Sequence, residues 1–158
     1  MRIAELQIVK KISILGSTGS IGTSTLAVAE KFPDRFTVVA IAGGNNSGLL
    51  EAQIRKFKPA LAAIADAQAA ESLRKKLGDL PVRIVSGVEG MIEVATAEDA
   101  DITVSSIVGT AGMDITSVSW RSGACAGGSK IVMPARAGPD AAAGVRAMNC
   151  SSWCVGRG

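Results

Sequence analysis

The 158-residue chain contains no histidine and no tyrosine, three phenylalanines and two tryptophans. Without imidazole, the commonest general base is missing, a Ser-His-Asp triad is excluded, and zinc loses a favoured ligand. Aromatics at 3% leave the core to Ile, Val, Leu and Ala. Long apolar runs are missing too, and no segment reaches the roughly 20 residues that a membrane-crossing helix needs. The N-terminal MRIAELQIVKK carries charges at Arg2 and Glu5 where a signal peptide would carry an apolar stretch. Charge of one sign is also scarce: the net charge is +3, with Lys and Arg scattered and no basic run interleaved with aromatics. Cysteine is confined to Cys125, Cys150 and Cys154, with no His and no second pair to make a metal site and nothing to indicate secretion. The expectation is a soluble, cytoplasmic protein with no nucleic-acid partner and no membrane partner.

What is present is an apolar fraction of 47% on a length that suits one domain with a sizeable core. The chain is organised around residues 11–22, KISILGSTGSIG. Ile12, Ile14 and Leu15 read as a buried strand ended by a tight turn at Gly16. Gly16, Gly19 and Gly22 recur every third residue, and Ile21, Leu26, Val28 and Ala29 then follow the helical period as far as Lys31. Strand, glycine turn and helix N-terminus together make a phosphate cradle. The glycines let backbone approach a diphosphate, while the first helical N–H groups and the helix dipole face the anion. Gly16, Thr18, Gly19, Ser20, Ile21 and Gly22 are therefore candidate cofactor contacts, with the hydroxyls of Thr18 and Ser20 as further donors. The spacing GxxGxxG differs by one residue from the usual dinucleotide fingerprint, so the alternative is a glycine-rich turn that binds nothing.

Further along, strand and helix signals alternate. Pro33 closes the first helix, FTVVAIA (36–42) reads as a strand covered on both faces, and Ser47 is a plausible N-cap for a helix to about Lys56. Short strands are expected at 61–64, 82–85 and 102–104, the last extended by Ser105 and Ser106. Helices are expected at 67–77 and 88–95. Alternation of this kind predicts right-handed βαβ units and an α/β, Rossmann-like, doubly wound parallel sheet.

The second strand ends in Gly43-Gly44-Asn45-Asn46. In a dinucleotide fold this position usually offers a carboxylate to the ribose hydroxyls when the cofactor is NAD. Gly44, Asn45 and Asn46 offer none to repel a 2′-phosphate, which favours NADP. The alternative is a turn shaped by backbone geometry alone. Ser106, Ile107 and Val108 leave the carboxyl end of the fifth strand, where open α/β sheets place ligands. They are candidates for the nicotinamide side, or simply a packed strand-to-helix turn.

Taken together, KISILGSTGSIGTSTLAVAEKFPDRFTVVAIAGGNN and DITVSSIVGTAGM closely resemble the N-terminal domain of the 1-deoxy-D-xylulose 5-phosphate reductoisomerase family over roughly residues 9–113. The GSTGSIG turn matches at Gly16 to Gly22. The resemblance implies an enzyme that rearranges 1-deoxy-D-xylulose 5-phosphate and reduces the product with NADPH to 2-C-methyl-D-erythritol 4-phosphate, in isoprenoid synthesis. It further implies Mg²⁺ or Mn²⁺, a sugar-phosphate substrate and a homodimer. Family cofactor contacts carry over onto Thr18, Gly19, Ser20 and Ile21, and onto Gly44, Asn45 and Asn46. Two other readings are another NADP-dependent reductase, such as a semialdehyde dehydrogenase, and a non-catalytic nucleotide-binding module.

Past Met113 the resemblance fails. The family continues into an A-N-K-E-S/T segment and an acidic D-S-E metal site, and Ser129-Lys130-Ile131-Val132-Met133 only faintly echoes the first. Residues 119–158 hold 20 Gly, Ala or Ser among 40, no Leu, one acidic residue (Asp140), both tryptophans and all three cysteines. So little aliphatic surface scarcely offsets ordering entropy. The expected organisation is an NADP-binding domain over 1–118 and a low-complexity, unstructured tail over 119–158, of the kind a shifted reading frame produces, without catalytic or metal residues and without turnover.

Overall fold

The computed structural model describes residues 9–107 and the backbone of two strands, Lys130–Pro134 and Val145–Asn149. In chain order the elements are β1 (Lys10–Leu15), α1 (Ser20–Lys31), β2 (Phe36–Gly43), α2 (Ser47–Phe57), β3 (Leu61–Ile64) and α3 (Ala67–Lys76). They continue as β4 (Arg83–Ser86), α4 (Gly87–Ala95), β5 (Ile102–Ser105), β6 (Lys130–Pro134) and β7 (Val145–Asn149). The sheet order is β4-β3-β2-β1-β5-β6-β7. Every neighbouring pair is parallel except β6 and β7.

Two features of the chain dictate this winding. From β1 to β4 each strand steps the same way along the sheet, and right-handed crossovers put α1, α2 and α3 on one face. The return from the edge strand β4 to β5 runs back past β1, which puts α4 on the other face. The core divides accordingly. Leu26, Leu50, Ile54 and Leu73 pack on Ile12, Ile14, Val38, Ile41 and Ile64. Met91, Val94 and Ala95 of α4 pack on Leu15, Ala40, Ala42, Leu61 and Ala63. The α4 face of β2 and β3 is alanine-rich, so small side chains bring that helix close. Val38 and Ile41 share a face despite their odd spacing because β2 carries one extra residue, Val39, against β1. Leu50 and Ile54 are fully buried, and each such side chain stabilises the fold by about 1.5–3 kcal/mol relative to exposure.

Buried hydroxyls tie the layers together. Ser13 Oγ donates to the Val94 carbonyl at 2.5 Å, and Thr103 Oγ1 donates to Ala95 at 3.3 Å, fixing the end of α4 on β1 and β5. One expectation is corrected. The N-cap of α2 is Asn46, whose Oδ1 accepts from the Leu49 N–H at 3.0 Å; Ser47 is already the first helical residue. Within 119–158, the segments Lys130–Pro134 and Val145–Asn149 add β6 and β7 to the sheet. The composition of that stretch averages out the short run Ile131-Val132-Met133, which adds to the sheet beside β5. The helices among the described residues include none long and apolar enough to cross a membrane.

Candidate functional site

The strand registers bring the carboxyl ends of β1 to β5 into line: Leu15 pairs with Ala42 and Ser105, Gly43 with Ile64, and Ile64 with Ser86. The segments that leave these ends therefore meet at one edge. A cleft of about 410 Å³ opens there, lined by Gly16, Thr18 and Gly19 after β1, Gly43 and Gly44 of β2 and its loop, and Ala65 after β3. Gly87, Val88 and Met91 of α4 and Ser106 and Ile107 after β5 complete it. The cleft straddles β1, where the winding reverses between α1 on one face and α4 on the other, and such switch points are where open α/β sheets hold ligands.

The glycine turn is built by backbone. The Gly16 and Ser17 N–H groups both donate to the Ala42 carbonyl at 2.8 Å, and the Gly19 N–H donates to Gly16 at 3.0 Å. Gly16 has φ +79°, a conformation side chains rarely adopt, and a Cβ there would stand 2.9 Å from the Ser106 carbonyl. Gly22 does different work: its Cβ would meet the Gly16 oxygen at 2.2 Å, so the missing side chain lets α1 abut the turn. Gly19 is the N-cap of α1 with extended backbone, no side-chain cap and no acidic residue in the first turn. The first N–H groups of a helix have no intrahelical acceptor. Here neither a cap nor a carboxylate competes for them, which is the requirement of an anion site.

The remaining sequence candidates differ in where they stand. Thr18, Gly44 and Ile107 line the cleft with Gly16 and Gly19, while Ser20 and Ile21 are exposed on the first turn of α1 and Gly22 is buried behind it. Ser106 lines the cleft but is 8% exposed, and its hydroxyl lies 2.6 Å from the Leu15 carbonyl and 3.0 Å from that of Gly16, so it anchors the turn to β5. Asn45 and Asn46 stand exposed at the loop after β2, with one oxygen of Asn46 committed to capping α2. Val108 lies outside the described residues.

Sequence reasoning missed Ala65, Gly87, Val88 and Met91. Their only signal is topological, since each comes after β3 or β4 at the ligand-bearing edge. Val88 is the most exposed large apolar side chain of the described residues at 63%, and it faces this cleft.

A second cavity of about 440 Å³ opens at the opposite edge, lined in part by Arg83, Glu93, Glu98 and Asp99. Arg83 is paired to Glu93 there. Asp99 is paired to Lys11 at 3.6 Å, yet three carboxylates against one cation in the lining disfavour a diphosphate, so the carboxyl edge is the candidate despite its similar size. Among the described residues no group of three or more His, Cys, Asp or Glu could hold a metal ion.

Comparison with known proteins places this geometry. The family model described as 1-deoxy-D-xylulose 5-phosphate reductoisomerase matches residues 12–126, running past Met113 where the legible resemblance stopped. The protein of that name from Geotalea uraniireducens is 47% identical over 114 residues, covering 72% of this chain and 30% of the relative. The one from Chlorobium limicola is 49% identical over 104 residues, 66% of this chain and 27% of the relative. Among solved structures, the reductoisomerase from Zymomonas mobilis in complex with NADPH superposes with TM-score 0.70 at 30% identity, over 79% of this chain and 31% of that one. A DOX-P reductoisomerase in complex with NADPH, fosmidomycin and magnesium gives 0.69 at 35% identity, over 78% and 29%.

Proposed function

This chain belongs to the 1-deoxy-D-xylulose 5-phosphate reductoisomerase family, and from that premise we propose that it binds NADPH in the cleft at the carboxyl edge of its sheet. The observation that carries this reading is the uncapped N-terminus of α1, presented to the cleft by a turn that only glycine at Gly16 and Gly22 permits. Thr18, Gly19, Ser20 and Ile21 hold the diphosphate through their amides and hydroxyls. Gly44, Asn45 and Asn46 take the adenosine end, where no carboxylate repels a 2′-phosphate and a Cβ at Gly44 would meet nothing within 4 Å. Ser106 and Ile107, with Val108, bound the nicotinamide side. Bound NADPH supplies a hydride; the protein's part is to bind, orient and shield it.

The chain spans about 30% of the length of the curated relatives it matches. We extend to the whole enzyme the rearrangement and reduction of 1-deoxy-D-xylulose 5-phosphate, the dependence on Mg²⁺ or Mn²⁺, the homodimer and a cytoplasmic location. For these 158 residues the proposal is cofactor binding without turnover, since they match only about 30% of the relatives' length. Fluorescence titration with NADPH and NADH tests the binding. Tighter binding of NADPH is expected, and equal or undetectable affinities contradict it. Reductoisomerase turnover by the purified chain would contradict the second half.

A further inference from the structure

Gln53 sits on α2, 6% exposed, among side chains that are otherwise apolar on that face. Its Nε2 donates to the carbonyl of Ser17 at 2.9 Å, across 36 residues of sequence. Its Oε1 is buried with no hydrogen-bond partner among the described residues, as is the Ser17 hydroxyl. A buried amide with its acceptor end unpaired is a poor choice for stability alone, because leaving a polar group unsatisfied costs more than an apolar replacement would. The contribution of Gln53 lies instead in what its one bond orients.

The Ser17 carbonyl and the Thr18 N–H belong to the same planar trans peptide and point in opposite directions. Holding the carbonyl against α2 therefore aims the Thr18 N–H away from α2, and Thr18 lines the cleft. The other side of Ser17 is fixed as well, its N–H donating to Ala42 at 2.8 Å. Ala42 stands one residue before Gly43, the end of β2, and α2 begins at its Asn46 cap. The diphosphate turn is thus tied, through its amide and its carbonyl, to the two elements that flank the adenosine loop at 43–46.

We propose that Gln53 is a positioning residue: it orients the Ser17–Thr18 peptide as a diphosphate donor and couples that turn to the adenosine loop. The proposal rests on the NADPH reading above. Two ligands separate the effects, since NADPH engages both the diphosphate turn and the adenosine loop whereas adenosine 2′-monophosphate engages the loop alone.

The test is calorimetric titration of the full chain and of Gln53→Met, which keeps length and packing but donates nothing. The expected result is an NADPH dissociation constant raised about tenfold, the scale of one hydrogen bond, with that of adenosine 2′-monophosphate changed less than about twofold. Equal losses for both ligands, or no loss for either, overturn the proposal. So does a Gln53→Met chain without the parent's circular dichroism, because Gln53 would then be needed for folding itself; Gln53→Leu, read the same way, guards against an effect peculiar to methionine. If the unmutated chain binds neither ligand, the NADPH reading fails, a result distinct from loss in the variant alone.

Discussion

Gly16, Gly19 and Gly22 look alike in the sequence, three repeats of one letter at one spacing, yet the structure gives each a different job. Gly16 takes a positive φ, Gly19 leaves the helix mouth uncapped, and Gly22 admits the turn to within van der Waals reach of α1. A methyl at Gly22 would stand 2.2 Å from a backbone oxygen and 2.5 Å from the Ser17 Cα, neither of which can swing aside. Gly22→Ala is therefore expected to lower stability by about 2 kcal/mol or more and to weaken NADPH binding with it. At Gly19 a methyl would approach only to 3.4 Å. Gly19→Ala should cost less than about 1 kcal/mol, and chemical denaturation of the two variants makes the comparison. The glycines were legible because a strand and a helix bracket them. Gln53 was legible only as a polar residue on the apolar face of α2, three after Leu50 and four before Phe57; its bond to Ser17, 36 residues away, was not.

At the scale of elements, local chemistry set most boundaries to within a residue, since Pro33, Pro59 and Gly78 stand where helices must end. Caps and tertiary additions were harder. Asn46 and Ser47 are both good capping residues, and only the bond from the Leu49 N–H decides between them. Asn46→Ala should cost about 1 kcal/mol in thermal or chemical denaturation, whereas Ser47→Ala should cost little. β6 and β7 escaped notice because their surroundings are rich in Gly, Ala and Ser, and because β6 pairs with β5 across a long stretch of sequence.

The contact between α2 and α3 is electrostatic as well as apolar. Lys76 Nζ reaches Glu51 at 3.2 Å, Arg55 bonds the same carboxylate, and Arg55 also donates to the Lys76 carbonyl at 2.9 Å. The hydrogen bond from Lys76, reinforced by Arg55 against a cost of partial desolvation, holds the Glu51 carboxyl below its ordinary value of 4.5. A lowered pKa means the folded state favours the ionised form. This stabilisation is complete above that ordinary value and disappears as pH falls through the lower, folded one. Glu51→Gln should thus destabilise slightly at pH 7 and match the parent once the Glu51 carboxyl is protonated in the folded and unfolded states alike, as paired denaturation curves at the two pH values would record.

For the whole molecule, the doubly wound order comes from alternating signals and the handedness of crossovers, and so was legible in the sequence. The cleft's full lining was not. Ala65, Gly87, Val88 and Met91 come from α4 and the end of β3, and only the shared edge of the sheet gathers them beside the glycine turn. Among the described residues the same topology opens a cavity at each edge, and charge distinguishes them: carboxylates outnumber cations in the lining at the amino edge, while α1 presents amides at the carboxyl edge.

An amide-resolved NMR titration of the full chain with NADPH decides between the two edges. Shifts should concentrate at Thr18, Gly19, Ser20 and Ile21 and at Gly44, Asn45 and Asn46. Shifts centred instead on Ala60, Arg83 and Glu98, or no shifts at saturating NADPH, would contradict a diphosphate seated at the mouth of α1.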